Sequence, residues 1–228
     1  MRRILEFFKF SARKQSICSV VSHDCAAERH REDVAEERGE WKKLQEVFDI
    51  EKLVFIDETW TKTNMTPLYG RAEMGKRVMD DVPHGHWQTT TFLAALRHDG
   101  LTAPLVIDGA INGEWFLAYV EQELVKTLTE GDIVVMDNLS SHKVSGVKEA
   151  MESVGAKILH LPPSRPDFNP IELVFSKPNT LVRKSKVRKI EELWKKLGEL
   201  CDVFTPNECK NYFKHAGYNG KTIFQTKI

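Results

Sequence analysis

Short, nearly continuous apolar runs alternate along this chain with longer stretches of helical periodicity. Leu53-Val54-Phe55-Ile56 closes at Asp57, and a run of that kind reads as a strand buried on both faces. Residues 87–96, with a Thr-rich alternating centre, predict a second strand. Leu105-Val106-Ile107, stopped by Asp108-Gly109, predicts a third. Between the first two, Gly70, Gly75 and Pro83 punctuate a basic loop or hairpin. Asn112 then offers an N-cap to a helix carrying Phe116, Tyr119, Val120, Leu124 and Leu128 at helical spacing. Gly131-Asp132 turns into a strand over 133–136. Residues 143–154 predict a short helix stopped by Gly155, and 157–161 a fifth strand. A breaker-rich stretch over 161–170 leads to a helix opening at Pro170. Further on, Thr205-Pro206-Asn207-Glu208 reads as a capping box with Gly217 as the later stop.

Three early strands on short connections imply antiparallel pairing, and helix-separated strands after them imply parallel crossovers. The expected fold is therefore α/β: a mixed five-stranded sheet covered by helices. Upstream, residues 28–48 are charge-dense, with Val34, Trp41, Leu44 and Phe48 spaced as on a helix. They read as an arm leading into the domain, while residues 1–27 show no clear pattern. The expected division is an arm over 1–50, a main domain over 51–218 and a tail over 219–228.

Composition narrows the class. The chain has 228 residues, 41% hydrophobic and 29% charged, with zero formal net charge, which suits a folded globular domain. Net charge gives no argument for a nucleic-acid partner, but its distribution does. Lys177, Arg183, Lys184, Lys186, Arg188, Lys189, Lys195 and Lys196 crowd one stretch against Glu191 and Glu192. Such a stripe suits a phosphate backbone, or a solvated helix face. Cys18, Cys25, Cys201 and Cys209 lack zinc-finger spacing and suggest reduced thiols in a cytoplasmic setting. No run reaches the ~20 apolar residues of a membrane span. Glu6, Lys9, Arg13 and Lys14 interrupt what would otherwise resemble a signal sequence.

The candidate chemistry lies in three acids at element ends. Asp57 and Asp137 each close an apolar strand, and Glu172 sits in the first turn of the helix opening at Pro170. Thirty-four residues separate Asp137 from Glu172. Two aspartates and a glutamate form a hard oxygen donor set, suited to Mg²⁺. If the two strands are neighbours, the acids converge.

Taken together, Val54-Phe55-Ile56-Asp57-Glu58-Thr59, Asp132 through Lys143 (with Asp137-Asn138 and His142), and Asp167-Phe168-Asn169-Pro170-Ile171-Glu172 resemble the motifs of mariner-type DDE transposases. The similarity is to the branch found in bacterial insertion sequences, and the thirty-four-residue gap is typical of that superfamily. The resemblance implies an RNase H-like catalytic domain and DNA as substrate. It also implies two Mg²⁺ ions (Mn²⁺ as a substitute) held by Asp57, Asp137 and Glu172, with strand cleavage followed by strand transfer. Full-length relatives act as dimers on paired DNA ends, which implies a homodimer here. They also carry paired helix-turn-helix modules ahead of the catalytic domain. The residues before Asp57 show none, so a truncated copy or half of a split reading frame is expected, either active or a remnant that folds and binds DNA weakly.

Each residue also has a plainer reading. Asp57 and Asp137-Asn138 suit strand-end turns. Glu58 alternates to the opposite face, so only one of the pair can line a site. Glu172 falls at the acid position of a capping box with Asn169 as N-cap. His142 reads as a residue beside the ligands rather than a ligand, and His84-Gly85-His86 as a surface feature. Arg71, Lys76 and Arg77, like Lys177, Arg183 and Lys184, are candidate phosphate contacts or solvated charges. Trp60, Trp87 and Trp115 read as core or sheet-packing residues. Two departures from the family pattern bear on the third acid. Ser164-Arg165 replaces the usual Tyr-Ser, and Pro178 predicts a kink or early end of the helix near Lys177, because an interior proline costs ~3 kcal/mol or more.

Overall fold

A computed structural model describes residues 32–84, 86–162 and 166–220. The readings made for residues 1–31, Gly85, Ser164-Arg165 and most of the tail lie outside the described residues. The chain divides into two units between Arg38 and Gly39. The described part of the first unit is the opening of helix α1 (Glu32–Val47). The sheet and the helices that cover it belong to the second unit.

Five strands form one mixed sheet: β1 (Leu53–Lys62), β2 (Thr89–Arg97), β3 (Gly100–Asp108), β4 (Ile133–Met136) and β5 (Lys157–His160), in the order β3-β2-β1-β4-β5. The first three pair antiparallel, while β4 and β5 join in parallel on the other side of β1. The expected sheet is present, with β1 and β3 longer than their apolar runs indicated; β1 continues past Asp57 to Lys62, so Asp57 lies within the strand rather than at its end. The hairpin interactions between β1 and β2 extend through threonines that hydropathy alone passes over.

Alternation along β1 builds two cores, one on each face. Leu53 and Phe55 face Phe175, Phe213 and Tyr218, together with Trp41 of α1. Val54 and Ile56 face Phe116, Tyr119 and Met151. The first core is covered by α4 (Pro170–Ser185), α5 (Ile190–Cys201) and α6 (Pro206–His215). The second is covered by α2 (Gly113–Tyr119) and α3 (Val147–Glu152). Both faces of β1 and β4 are thus buried, which is why their sequences are continuously apolar.

Several local predictions hold. Asn112 caps α2 by accepting the Trp115 N–H, and Thr205 caps α6 by accepting that of Glu208. Others are corrected. The helix expected over 143–154 is α3 alone, preceded by a 3₁₀ turn at Ser140–Lys143. Gly146, at φ 96°, breaks the two apart. The 64–88 connection, expected as a basic loop or hairpin, is a loop in its described residues, and its ends meet where the Thr63 N–H donates to the Gln88 carbonyl.

The expected early end of α4 does not occur. The helix runs from Pro170 to Ser185 with Pro178 inside it and buried. Burying the ring in the first core offsets part of the lost hydrogen bond. Nearby hydroxyls occupy carbonyls of the same turns: Ser176 donates to Leu173 O and Thr180 to Ser176 O.

Candidate active site

The register between β1 and β4 brings the two aspartates together. Leu53 pairs with Ile133 and Phe55 with Val135. Two residues further along each chain, on the same face of the sheet, come Asp57 and Asp137. Helix α4 packs over this end of β1, and its first turn brings Glu172 to the same place.

Asp57 is buried at 8% exposure. Its Oδ1 accepts the Glu58 N–H at 2.8 Å and its Oδ2 accepts Nδ2 of Asn169 at 2.7 Å. Burial, then the nearby Glu172, Glu58 and Asp137 carboxylates, push the Asp57 carboxyl up to about 8. Glu172 is also raised, by burial and then by Asp137 and Glu58, although its side chain stays open to solvent. These mutual effects show that the acids share one electrostatic environment.

Asn169 corrects the capping-box reading. Its side chain makes no cap hydrogen bond to α4 and is turned onto Asp57 instead. Glu172 is therefore not half of a capping box. The start of α4 is satisfied in part by proline at its first position, which has no N–H to cap.

His142 is buried at 2% exposure and stands between two acids. Its Nε2 is 3.1 Å from Glu58 Oε2 and its Nδ1 is 2.7 Å from Asp137 Oδ1. The latter is a close contact without hydrogen-bond geometry. Burial alone would lower His142, but Asp137 and Glu58 overcome it and raise the imidazole to about 9. Asn138, next to Asp137, is exposed.

Sequence reasoning thus left out two residues. Glu58 faces away from Asp57, as alternation requires, yet touches the site through His142. Asn169 has a local capping reading that tertiary contact overrides. Pattern in one chain cannot show either contact, because each joins residues far apart in sequence.

The structure spends much of the basic stripe elsewhere. Lys177 is paired with Glu208 at 2.8 and 2.9 Å and lies over the Phe204 ring, tying α4 to α6. Arg183 donates to Thr66 O and Arg188 to Thr63 O, and Lys186 pairs with Asp80. These three hold the β1–β2 connection against the end of α4. Lys184, Arg71, Lys76 and Arg77 are exposed, with Lys76 paired to Glu73. His84 and His86 are also exposed. Trp60, Trp87 and Trp115, expected as core or sheet-packing residues, are exposed as well. Trp60 lies late in β1, Trp87 just before β2 and Trp115 in the first turn of α2.

The donor set suits a hard divalent cation: carboxylate oxygens, one of them buried where its own charge is disfavoured. Among the described residues, however, no three His, Cys, Asp or Glu side chains converge tightly enough to form a ready metal cluster. Asn169 and His142 occupy oxygens of Asp57 and Asp137.

A family profile described as DDE superfamily endonuclease matches residues 52–194. The chain belongs to that superfamily. The matched segment contains all three acids, Glu58, His142 and Asn169. Among solved structures, the Mos1 transposase paired-end complex with left transposon end is similar at a TM-score of 0.68 and 13% identity, covering 91% of this chain and 67% of that one. The catalytic domain of Mos1 mariner transposase gives 0.60 and 13%, covering 87% and 93%. The mariner Mos1 paired end complex with Mg gives 0.68 and 14%, covering 88% and 65%. At these identities the likeness establishes the fold, which is RNase H-like. No curated protein sequence matches the chain. No helix among the described residues is long and apolar enough to cross a membrane.

Proposed function

We propose that this DDE superfamily member is the catalytic domain of a mariner-type transposase of the bacterial insertion-sequence branch. It would cut and join DNA strands using Asp57, Asp137 and Glu172. The observation that carries this reading is the meeting of Asp57 within β1, Asp137 just past β4 and Glu172 in the first turn of α4, inside the matched segment. Residues 51–218 would form the catalytic domain, with 1–50 as an arm and 219–228 as a tail.

Asp57, Asp137 and Glu172 would hold two Mg²⁺ or Mn²⁺ ions. When bound, such ions activate the attacking water and neutralise the leaving oxygen. The chain's own residues prepare the site for this. Asn169 and the Glu58 N–H fix both oxygens of Asp57, while His142 holds Asp137 and Asn138 flanks it. Water attacks the phosphorus, the bond to the 3′ oxygen breaks, and a 3′-hydroxyl and a 5′-phosphate remain. That hydroxyl then attacks a phosphorus of the target DNA in the same site, the target's bond to its own 3′ oxygen breaks, and a free 3′-hydroxyl is left on the target strand. Arg71, Lys76, Arg77 and Lys184 are the exposed cations available to DNA phosphates, whereas Lys177 and Arg183 act within the fold. A homodimer would bring two DNA ends together, at the nucleoid if the host is a bacterium.

The test is nicking of supercoiled plasmid by the purified protein with Mg²⁺ or Mn²⁺, beside Asp137→Ala. Nicking by the wild type is expected. The variant should lose more than the roughly 10–100-fold typical of removing a residue outside the ligand sphere. A second reading, a remnant that folds and binds DNA weakly without turnover, is favoured by the absence of a ready metal cluster among the described residues. Two folded proteins that both fail to nick would support it.

A further inference from the structure

Glu58 leaves β1 on the face opposite Asp57, yet it does not reach solvent. Its side chain is 9% exposed and its Oε2 lies 3.1 Å from His142 Nε2. The other ring nitrogen lies 2.7 Å from Asp137 Oδ1. One imidazole therefore spans carboxylates that belong to two neighbouring chain segments. Phe116 holds the ring from the side, with centroids 4.2 Å apart and planes 31° from parallel. A carboxylate oxygen thus lies beside each ring nitrogen.

Asp137 needs such support. It lies just past the last residue of β4, where ladder hydrogen bonds no longer fix the backbone. Its side chain is 34% exposed, so packing does not set its rotamer. The groups that do are His142 and the Leu139 N–H, which Oδ1 accepts at 3.2 Å. Together they commit Oδ1 and leave Oδ2 available to a cation. A ligand that must otherwise be ordered on binding costs affinity, and binding constellations need positioning within about 0.5 Å.

We propose that Glu58 is a positioning residue that acts through His142 to aim the Asp137 carboxylate at the metal site. This rests on the proposed role of Asp137 as a ligand to a divalent cation. Glu58 is the fixed end of the brace, since it sits within β1 and is paired in register with Leu93 of β2. His142 is the strut and Asp137 the part that is held.

The experiment is Mn²⁺ binding, followed by the paramagnetic resonance of the free ion, with melting temperatures recorded alongside. The proteins are wild type, Glu58→Ala, Glu58→Gln, His142→Ala, Asp137→Ala and the Glu58→Ala/His142→Ala double variant. Glu58→Ala and His142→Ala should each weaken Mn²⁺ binding by about 10–100-fold, and the double variant should be no weaker than His142→Ala. Glu58→Gln, whose amide oxygen still accepts the Nε2 hydrogen, should recover most of the affinity. Wild-type affinity in folded Glu58→Ala overturns the brace. So does a double variant that shows the product of the two single losses, because Glu58 would then act by its own charge. If Glu58→Ala does not fold, a Glu58→Gln loss as large as that of Asp137→Ala overturns it. Absence of Mn²⁺ binding by the wild type instead overturns the metal reading, and this inference with it.

Discussion

Asp57→Asn is expected to abolish metal-dependent nicking while raising the melting temperature of the metal-free protein. The two effects have one cause. Asp57 is buried among Glu172, Glu58 and Asp137, and these surroundings push its carboxyl up to about 8. A folded-state pKa above the unfolded value means that folding favours the protonated form. The stability this contributes is fully present below pH ~4 and is lost as pH rises through about 8. His142, raised to about 9, acts in the same direction: its contribution is complete below about 6.5 and fades as pH passes 9.

Asparagine removes the buried charge and keeps both hydrogen bonds. Its oxygen accepts the Glu58 N–H, and its amide donates to Asn169 Oδ1, which has no partner in the wild type, once the Asn169 amide rotates. Each pKa unit is worth about 1.4 kcal/mol. A gain of roughly 2 kcal/mol at pH 8 corresponds to about 4–8 °C for a chain of this size. The gain should vanish near pH 4. Saturating Mg²⁺ should stabilise the wild type at pH 8 and leave the variant unmoved. Thermal melts at pH 4 and pH 8, with and without Mg²⁺, decide it. A variant that melts below the wild type at pH 8 would show that the Asp57 charge is already compensated.

Asp132→Ala is expected to lower stability by about 3–5 kcal/mol, the usual cost of leaving one partner of a buried ion pair alone. Asp132 is fully buried at the start of β4. Its Oδ2 accepts both from Arg97 Nη2, through a short contact, and from the Thr129 N–H at 2.7 Å. Lys52 lies 3.9 Å from Oδ1. Burial by itself would raise this carboxyl, but the hydrogen bonds from Arg97 and Thr129 outweigh it and hold the group below the usual range. Its contribution is therefore present above pH ~4 and lost only in acid. The loss should appear as a fall of about 6–20 °C in the metal-free melt at pH 7. Asp132 and Asp137 lie at opposite ends of β4, roughly 17 Å apart at strand rise. Mn²⁺ affinity measured well below the melt should therefore stay at the wild-type level. A shift of less than 1 °C would sink the ion-pair argument, and a parallel loss of Mn²⁺ affinity would show that the two ends are coupled.

Asp132 and Asp57 also mark how far a linear reading reaches. Both follow or precede apolar runs and both suit turn positions by residue type. Their opposite consequences depend on what covers them: Arg97 from β2 in one case, three carboxylates from three elements in the other. Pro178 does not end α4, for a related reason. The penalty of an interior proline is a local quantity, and burial of its ring between sheet and helices is not. The three tryptophans expected as core or sheet-packing residues are exposed, since apolar character alone does not say which residues have a cover.

The five strands, the α/β class and the order of the three acids are legible along the chain. These arise from alternation, apolar runs and helix-start chemistry, which act between residues close along the chain. Folding in three dimensions settles that β1 and β4 are parallel neighbours, that Asn169 leaves its cap for Asp57, and that His142 joins Glu58 to Asp137. It also settles that Lys177 and Arg183 serve the fold. Each of these is a contact across tens of residues, governed by packing and by the low dielectric of a buried site.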